Sequence, residues 1–122
     1  MSHSSLAIAE AYYTAMGDKN VTGMAQYLHP DVQLISPLAK VSGKDAAVEA
    51  ARKLISLFKT VTIRAKFGSE NQAMLAIDID FPAPIGNLPA AVLQTFNDGL
   101  ITKIELFYDG RPLDRKKEEI FS

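Results

Sequence analysis

The chain contains no cysteine and no tryptophan among its 122 residues, and only two histidines. The lack of cysteine excludes disulfides, zinc–thiolate sites, iron–sulfur clusters and thiol nucleophiles. His3 and His29 show no metal-ligand spacing, so we expect neither a metal site nor a cofactor. The sequence also lacks a glycine-rich phosphate loop and a Gly-x-Ser-x-Gly nucleophile motif.

An excess of charge of either sign is missing as well. Thirteen Lys and Arg residues balance fourteen Asp and Glu residues, which argues against nucleic acid as a partner. No apolar run approaches the ~18 residues of a membrane-spanning helix. The start shows no basic segment and no cleavage pattern, so we expect no signal peptide and a cytoplasmic location. The length fits one domain over residues 1–122.

Helical periodicity dominates the first half of the chain. Apolar side chains recur every three or four positions over residues 5–18 and 43–58, and each segment is predicted to be an amphipathic helix. A shorter helix is predicted between them, capped by Asn20 or Thr22 and reaching Leu28 before Pro30 ends it. Ser42 and Asp45 have capping-box spacing at the start of the third helix.

Strand-like alternation dominates the second half. Strands are predicted at residues 31–36, 60–67, 72–81, 90–96 and 100–108. Turns are predicted at 68–71, at the proline-rich loop 82–89 and at Asn97-Asp98-Gly99. The charged tail from residue 111 is predicted to be a solvated end or a short helix. Together these elements predict an α+β domain with three N-terminal helices packed on a curved, mostly antiparallel sheet.

Several local motifs accompany this order of elements. They are Tyr12-Tyr13, Asp18-Lys19-Asn20, Leu28-His29-Pro30-Asp31-Val32, Ser36-Pro37, Ser42-Gly43-Lys44 and Ile104-Glu105-Leu106-Phe107-Tyr108-Asp109. With them the chain resembles the nuclear transport factor 2-like superfamily of cone-shaped folds, and within it the SnoaL-like and ketosteroid-isomerase-like branch. The resemblance implies a deep apolar pocket between a curved sheet and a long helix. It also implies a homodimer formed through the outer face of the sheet.

The same resemblance bears on individual residues. By ungapped alignment, Tyr12 falls at the oxyanion-hole tyrosine of ketosteroid isomerases, Ser36 at their base aspartate and Val92 at their second acid. Tyr108 replaces a pocket aromatic. Because two of these three catalytic positions are changed, steroid isomerisation by that mechanism is not expected. The resemblance to limonene-epoxide-hydrolase-like proteins is also incomplete, since the last strand carries no inward carboxylate.

The alternation of Asp78 and Asp80 with apolar residues allows two interpretations. In the first, the apolar residues are core and the aspartates are solvated near Arg64. In the second, the aspartates line the pocket, and a second subunit covers an apolar outer face that also includes Leu93. In both interpretations the apolar residues that alternate with the two aspartates are Ile77, Ile79 and Phe81.

The loop at residues 68–71 decides between the two. The alternating apolar residues of the preceding strand are expected to point inward, because Arg64 and Lys66 cannot be core; they are Val61, Ile63, Ala65 and Phe67. A four-residue loop then places even-numbered residues of the next strand on the inner face, whereas a three- or five-residue loop, or a bulge, reverses the assignment. We favour four residues and inward aspartates, as in the limonene-epoxide-hydrolase-like proteins.

The expected pocket combines acids with hydrogen-bonding groups. A three-residue loop at 97–99 turns six residues of the last hairpin toward the helices: Val92, Gln94, Phe96, Ile104, Leu106 and Tyr108. Val92, Leu106, Ser36, Gln94 and Tyr108 are therefore candidate ligand-binding residues. Asp78 and Asp80, whose pKa values an apolar cavity would raise, are candidate acid and base, and Tyr12 a candidate oxyanion donor.

Two functions are consistent with this pocket. The first is a small-molecule-binding protein that can act as a cofactor-free isomerase, cyclase or hydrolase on a compact apolar ligand. The alternative is a non-catalytic, dimeric binding or interaction domain with a vestigial pocket.

Overall fold

The computed structural model describes residues 4–116. Its helices are α1 (Ser5–Gly17), α2 (Val21–Ala25) and α3 (Lys44–Ile55). Its strands are β1 (Leu28–Ile35), β2 (Lys40–Ser42), β3 (Thr60–Gly68), β4 (Gln72–Asp80), β5 (Asn87–Asn97) and β6 (Leu100–Phe107). A 3-10 helix (Arg111–Lys116) follows, which agrees with the short helix that was one of the two alternatives predicted for the tail. Residues 117–122 of the predicted tail lie outside the described residues.

The six strands form one sheet in the order β2-β1-β6-β5-β4-β3. Every neighbouring pair is antiparallel except β1 and β6, which run parallel. Helix α1 packs on β3 and β4, and α3 packs on β1, so both cover the same face of the sheet. The predicted α+β class, with three helices on a mostly antiparallel sheet, is confirmed.

Helix α1 begins with a side-chain cap and buries one face. The Ser4 hydroxyl accepts a hydrogen bond from the Ala7 amide, which satisfies one of the free N–H groups of the first turn. The buried residues recur at helical spacing: Ile8, Ala9, Tyr12, Tyr13 and Met16. The helix passes so close to β3 that a Cβ at Gly68 would lie 2.9 Å from Leu6 Cβ.

The segment between α2 and α3 differs from its prediction. Asn20 caps α2 through its side chain, as expected, but the helix ends at Ala25, and Leu28 already pairs with Ile101 of β6. Pairing with the sheet overrides the local helical pattern here. Lys40–Ser42, where no strand was predicted, pairs with β1. The predicted capping box is also wrong, since Gly43 occupies the N-cap of α3 and no side chain caps it.

A bulge at Arg64 determines which face of β4 is buried. Near the turn, odd residues of β3 oppose even residues of β4, as for Phe67 and Met74, which fits the predicted four-residue loop. Beyond the irregularity between Ile63 and Ala65, odd residues oppose odd ones, as for Ile63 and Ile77. The extra residue thus exchanges the two faces along β3, because side chains alternate strictly along a strand.

The side chains of the last hairpin face the predicted side of the sheet, but the turn differs from the predicted one. Asn97 pairs with Leu100, so the turn has two residues, Asp98 and Gly99, both with positive φ. A register shift between Thr95 and Phe96 compensates for the shorter loop. Val92, Gln94, Phe96 and Ile104 are buried as predicted, with Leu106 and Tyr108 on the same side of the sheet.

The outer face of the sheet is partly apolar. Two adjacent rows of paired residues form what we call the outer patch: Phe67, Met74 and Leu93, then Ala65, Ala76, Ala91 and Phe107. Phe67 is 68% exposed and Phe107 52% exposed. The prediction that Ile77, Ile79 and Phe81 form this face is wrong, because the bulge turns them into the core. Leu93 does lie on it.

No helix within residues 4–116 is both long and apolar enough to cross a membrane.

Candidate functional site

A cavity lies between the helices and the sheet. Its wall is drawn from α1, α3, β1, β4, β5, β6 and the 3-10 helix, and most of its lining side chains are apolar. The volume that the centres of water molecules can occupy inside the cavity is about 60 Å³. One water needs roughly 10–15 Å³ on this measure, so a few waters or one compact ligand would fill the space.

Four polar side chains interrupt the apolar wall: Tyr12, Tyr13, Ser36 and Tyr108. Tyr12 and Tyr13 are adjacent on α1, and their rings meet edge to face with centroids 5.1 Å apart. Both side chains are buried, and neither hydroxyl has a hydrogen-bond partner among the described residues. Neither hydroxyl oxygen is among the fully buried atoms that lack a partner, so each keeps accessible surface and is available to a ligand.

Burial keeps these tyrosines neutral. It raises the pKa of Tyr12, and it raises the pKa of Tyr13, which the neighbouring Tyr12 raises further. Desolvation disfavours the phenolate in each case, because the anion loses its hydration. At neutral pH both residues therefore act as hydrogen-bond donors rather than bases.

Ser36 and Tyr108 form the second polar group of the wall. Burial raises the pKa of Tyr108, and the Ser36 hydroxyl beside it lowers the same pKa to a lesser degree. The Ser36 hydroxyl is also used within its own turn, where it accepts from the amides of Leu38 and Ala39, each at 3.3 Å. This hydroxyl is a structural group of the turn as well as part of the wall.

The prediction that Asp78 and Asp80 face the cavity is wrong. Both lie on the outer face of β4, where Asp78 pairs with Arg64 at 3.2 Å between Oδ2 and Nε. The bulge at Arg64 is the cause, since it places Ile77 and Ile79 inward and their acidic neighbours outward. The cavity wall contains no carboxylate and no histidine among residues 4–116. An acid–base pair built on these aspartates is thereby excluded from the cavity.

The other candidate residues lie on the inner face. Tyr12, Ser36, Leu106 and Tyr108 line the cavity. Val92 is fully buried opposite Leu106 on β5, and it contributes to the core behind the wall. Gln94 is also fully buried, next to the cavity-lining Ile104, and within residues 4–116 neither its Nε2 nor its Oε1 has a hydrogen-bond partner. Whether these residues bind a ligand stays a prediction.

The candidate residues cover only part of the wall, and the 3-10 helix and α3 are among the parts that sequence reasoning missed. Leu113 of the 3-10 helix is buried and lines the cavity, although it is surrounded by charged and polar residues in the sequence. Helix α3 contributes mainly small side chains, namely Ala47, Ala50 and Ala51. This run of alanines on the buried face was the available signal, because small side chains leave space where larger ones would fill it.

Metal chemistry has no cluster of ligands to support it in the described part of the chain. No group of three His, Cys, Asp or Glu side chains there could hold a metal ion. The arrangement offers instead an apolar enclosure with neutral hydroxyl donors. Chemically, such a site has the groups needed to hold and orient a hydrogen-bond acceptor.

Comparison with known proteins agrees with this architecture. A search of curated proteins found no match. Among solved structures, a protein from Kribbella flavida DSM 17836 superposes with a TM-score of 0.86 at 22% identity, over 96% of both chains. A steroid delta-isomerase from Pseudomonas aeruginosa gives a TM-score of 0.77 at 18% identity, over 93% of this chain and 86% of that one. A candidate polyketide cyclase from Sinorhizobium meliloti gives 0.76 at 15% identity, over 83% and 94%.

At these identities the structural neighbours establish the fold, and the family follows from the sequence. The sequence model of the SnoaL-like domain matches residues 9–104, which span α1 through most of β6. The resemblance expected from the motifs is confirmed: the chain belongs to the SnoaL-like domain family.

Proposed function

We propose that this protein binds a compact, uncharged and largely apolar small molecule that carries a carbonyl or another hydrogen-bond acceptor. The observation that carries the proposal is that Tyr12 and Tyr13 line an apolar cavity with hydroxyls that have no hydrogen-bond partner among the described residues. A ligand acceptor would satisfy a hydroxyl that the fold leaves unpaired, and the apolar wall would hold the rest of the ligand.

Charge and volume restrict the ligand further. The described wall contains no charged side chain, so a charged ligand would be buried without a counterion at a large cost. The small free volume favours a single ring over a fused ring system. With Asp78 and Asp80 on the opposite face, the same site favours binding over acid–base catalysis.

The direct test is a titration of the ¹⁵N-labelled protein with cyclopentanone and with methylenecyclopentane, which has the same shape but no acceptor. We expect saturable shifts at α1, β6 and the 3-10 helix with the ketone, and binding roughly fivefold to tenfold weaker with the hydrocarbon. Equal affinities, or shifts scattered over the surface, would contradict the proposal.

A second copy of this chain is the proposed partner of the outer patch. The patch is apolar at its centre, and a contiguous apolar surface of this kind on a sheet favours association. Charges of both signs lie on the same face: Arg64 and Lys103 against Asp78, Asp80 and Glu105. A twofold contact brings each patch against its own copy, so positive groups of one subunit can meet negative groups of the other.

A further inference from the structure

The Gln94 side chain is the unusual polar group of this core. It is fully buried, and both of its amide atoms lack a hydrogen-bond partner among the described residues. Buried amides are nearly always paired, because an unpaired one loses its hydration without compensation.

Gln94 is not part of the cavity wall itself, but the sheet register places it directly beside residues of that wall. On one side it pairs with Ile104, and Ile104 pairs with Leu34; both of these residues line the cavity. On the other side its partner is Ala73, whose side chain is a single methyl group without a polar atom. Paired residues on neighbouring strands have Cβ atoms about 5 Å apart, a distance that a glutamine side chain can span.

We propose that Gln94 recognises the ligand, and that the ligand presents a lactam or carboxamide group to it; this rests on the proposed function. The Gln94 amide offers an acceptor and a donor on neighbouring atoms. A lactam offers the complementary donor and acceptor in the same geometry, so two parallel hydrogen bonds can form. A carboxylate offers no donor and would bring an uncompensated charge into the apolar wall.

The test compares two rings of nearly equal shape, 2-pyrrolidinone and cyclopentanone, which differ in one N–H group. Dissociation constants are measured for the wild type, for Gln94→Met, and for Gln72→Met as a matched control. Gln72 pairs with Thr95 on the outer face, where its amide donates to the Thr95 hydroxyl at 3.3 Å. Methionine keeps the length of the side chain and removes both polar atoms.

We expect the wild type to bind the lactam roughly tenfold more tightly than the ketone. Gln94→Met should lose this preference, while Gln72→Met should keep it. A wild type that binds both rings equally, or a Gln94→Met variant that keeps the preference, would overturn the inference and leave the proposed function standing. Failure of both rings to bind would overturn the two together.

Thermal unfolding without ligand separates recognition from a structural role. Replacement of an unpaired buried amide by methionine should raise the unfolding temperature by roughly 2–6 °C. A fall of similar size would mean that the fold itself satisfies the amide, and it would contradict the inference.

Discussion

Arg64 and Asp78 pair across neighbouring strands on the outer face of the sheet, with 3.2 Å between Nε and Oδ2. The pair lies beside the bulge of β3 and on the side of the sheet away from the cavity. The sheet itself therefore lies between the acidic residues of β4 and the tyrosines of the cavity. A role for Asp78 or Asp80 in ligand binding is therefore not expected.

Substitution of Asp78 and Asp80 tests whether these acids act independently of the cavity. Asp78→Asn and Asp80→Asn should each leave the cyclopentanone affinity within about twofold of the wild type. Asp78→Asn should destabilise the fold by at most about 1 kcal/mol, because the pair is partly solvated. Titration and urea unfolding measure the two quantities. Loss of binding in a folded Asp78→Asn protein would contradict the placement.

High pH should destabilise the protein through its buried tyrosines. Burial raises the folded-state pKa of Tyr12, Tyr13 and Tyr108 above the ordinary value of 10.0. Above pH 10 the unfolded chain binds fewer protons than the native one, so stability falls as the pH rises; below pH 10 this contribution is fully present. Urea unfolding from pH 8 to 11.5, with phenolate absorbance, should show both the loss of stability and delayed ionisation. Constant stability over this range would contradict the burial.

Lys19 should contribute measurably to stability although it is exposed. Its Nζ donates to the carbonyl of Ile55 at 2.7 Å and to that of Phe58, and it lies 4.5 Å from the Phe58 ring centroid. A cation at the end of α3 also interacts favourably with the helix dipole. Lys19→Met should cost about 1–2 kcal/mol in urea unfolding. The exposed Lys59→Met is the control, and an equal effect of both variants would refute this role.

The outer patch predicts that the protein is a dimer and that a charge placed in the patch dissociates it. The wild type should sediment as a dimer, and Phe67→Glu should convert it to the 13.3 kDa monomer, because two buried charges would meet across the twofold axis. Thr14 lies at an exposed position of α1, away from the patch, and Thr14→Glu should leave the dimer intact. A wild type that remains monomeric at 100 μM would overturn the proposed partner.

Much of this fold follows from local patterns. The amphipathic repeat of α1 predicted a helix with the observed buried face. Asn97-Asp98-Gly99 predicted the last hairpin, although its three-residue loop gives the observed facing only because a register shift compensates for the shorter turn. Both signals are local, since helical periodicity and turn chemistry depend on nearby residues. The family resemblance then related these elements to the observed architecture.

The site was harder to predict because one residue changed the register. Val61 and Ile63 point inward and Phe67 outward only because an extra residue is inserted at Arg64. An alternating sequence looks the same on either side of a bulge, so the pattern alone cannot locate it. The bulge also turns Lys66 toward α1, where its Nζ lies 2.5 Å from Glu10 Oε2. That long-range pair was not visible in the strand pattern.

The most direct test of the account is the cyclopentanone affinity of the Tyr12→Phe/Tyr13→Phe double variant beside the Tyr27→Phe control. Tyr27 lies in a shallow surface groove outside the cavity. The double variant should keep the fold and bind cyclopentanone roughly fivefold to tenfold more weakly than the wild type, with no change for Tyr27→Phe. Unchanged affinity in the double variant would contradict the central claim that the pocket hydroxyls recognise the ligand.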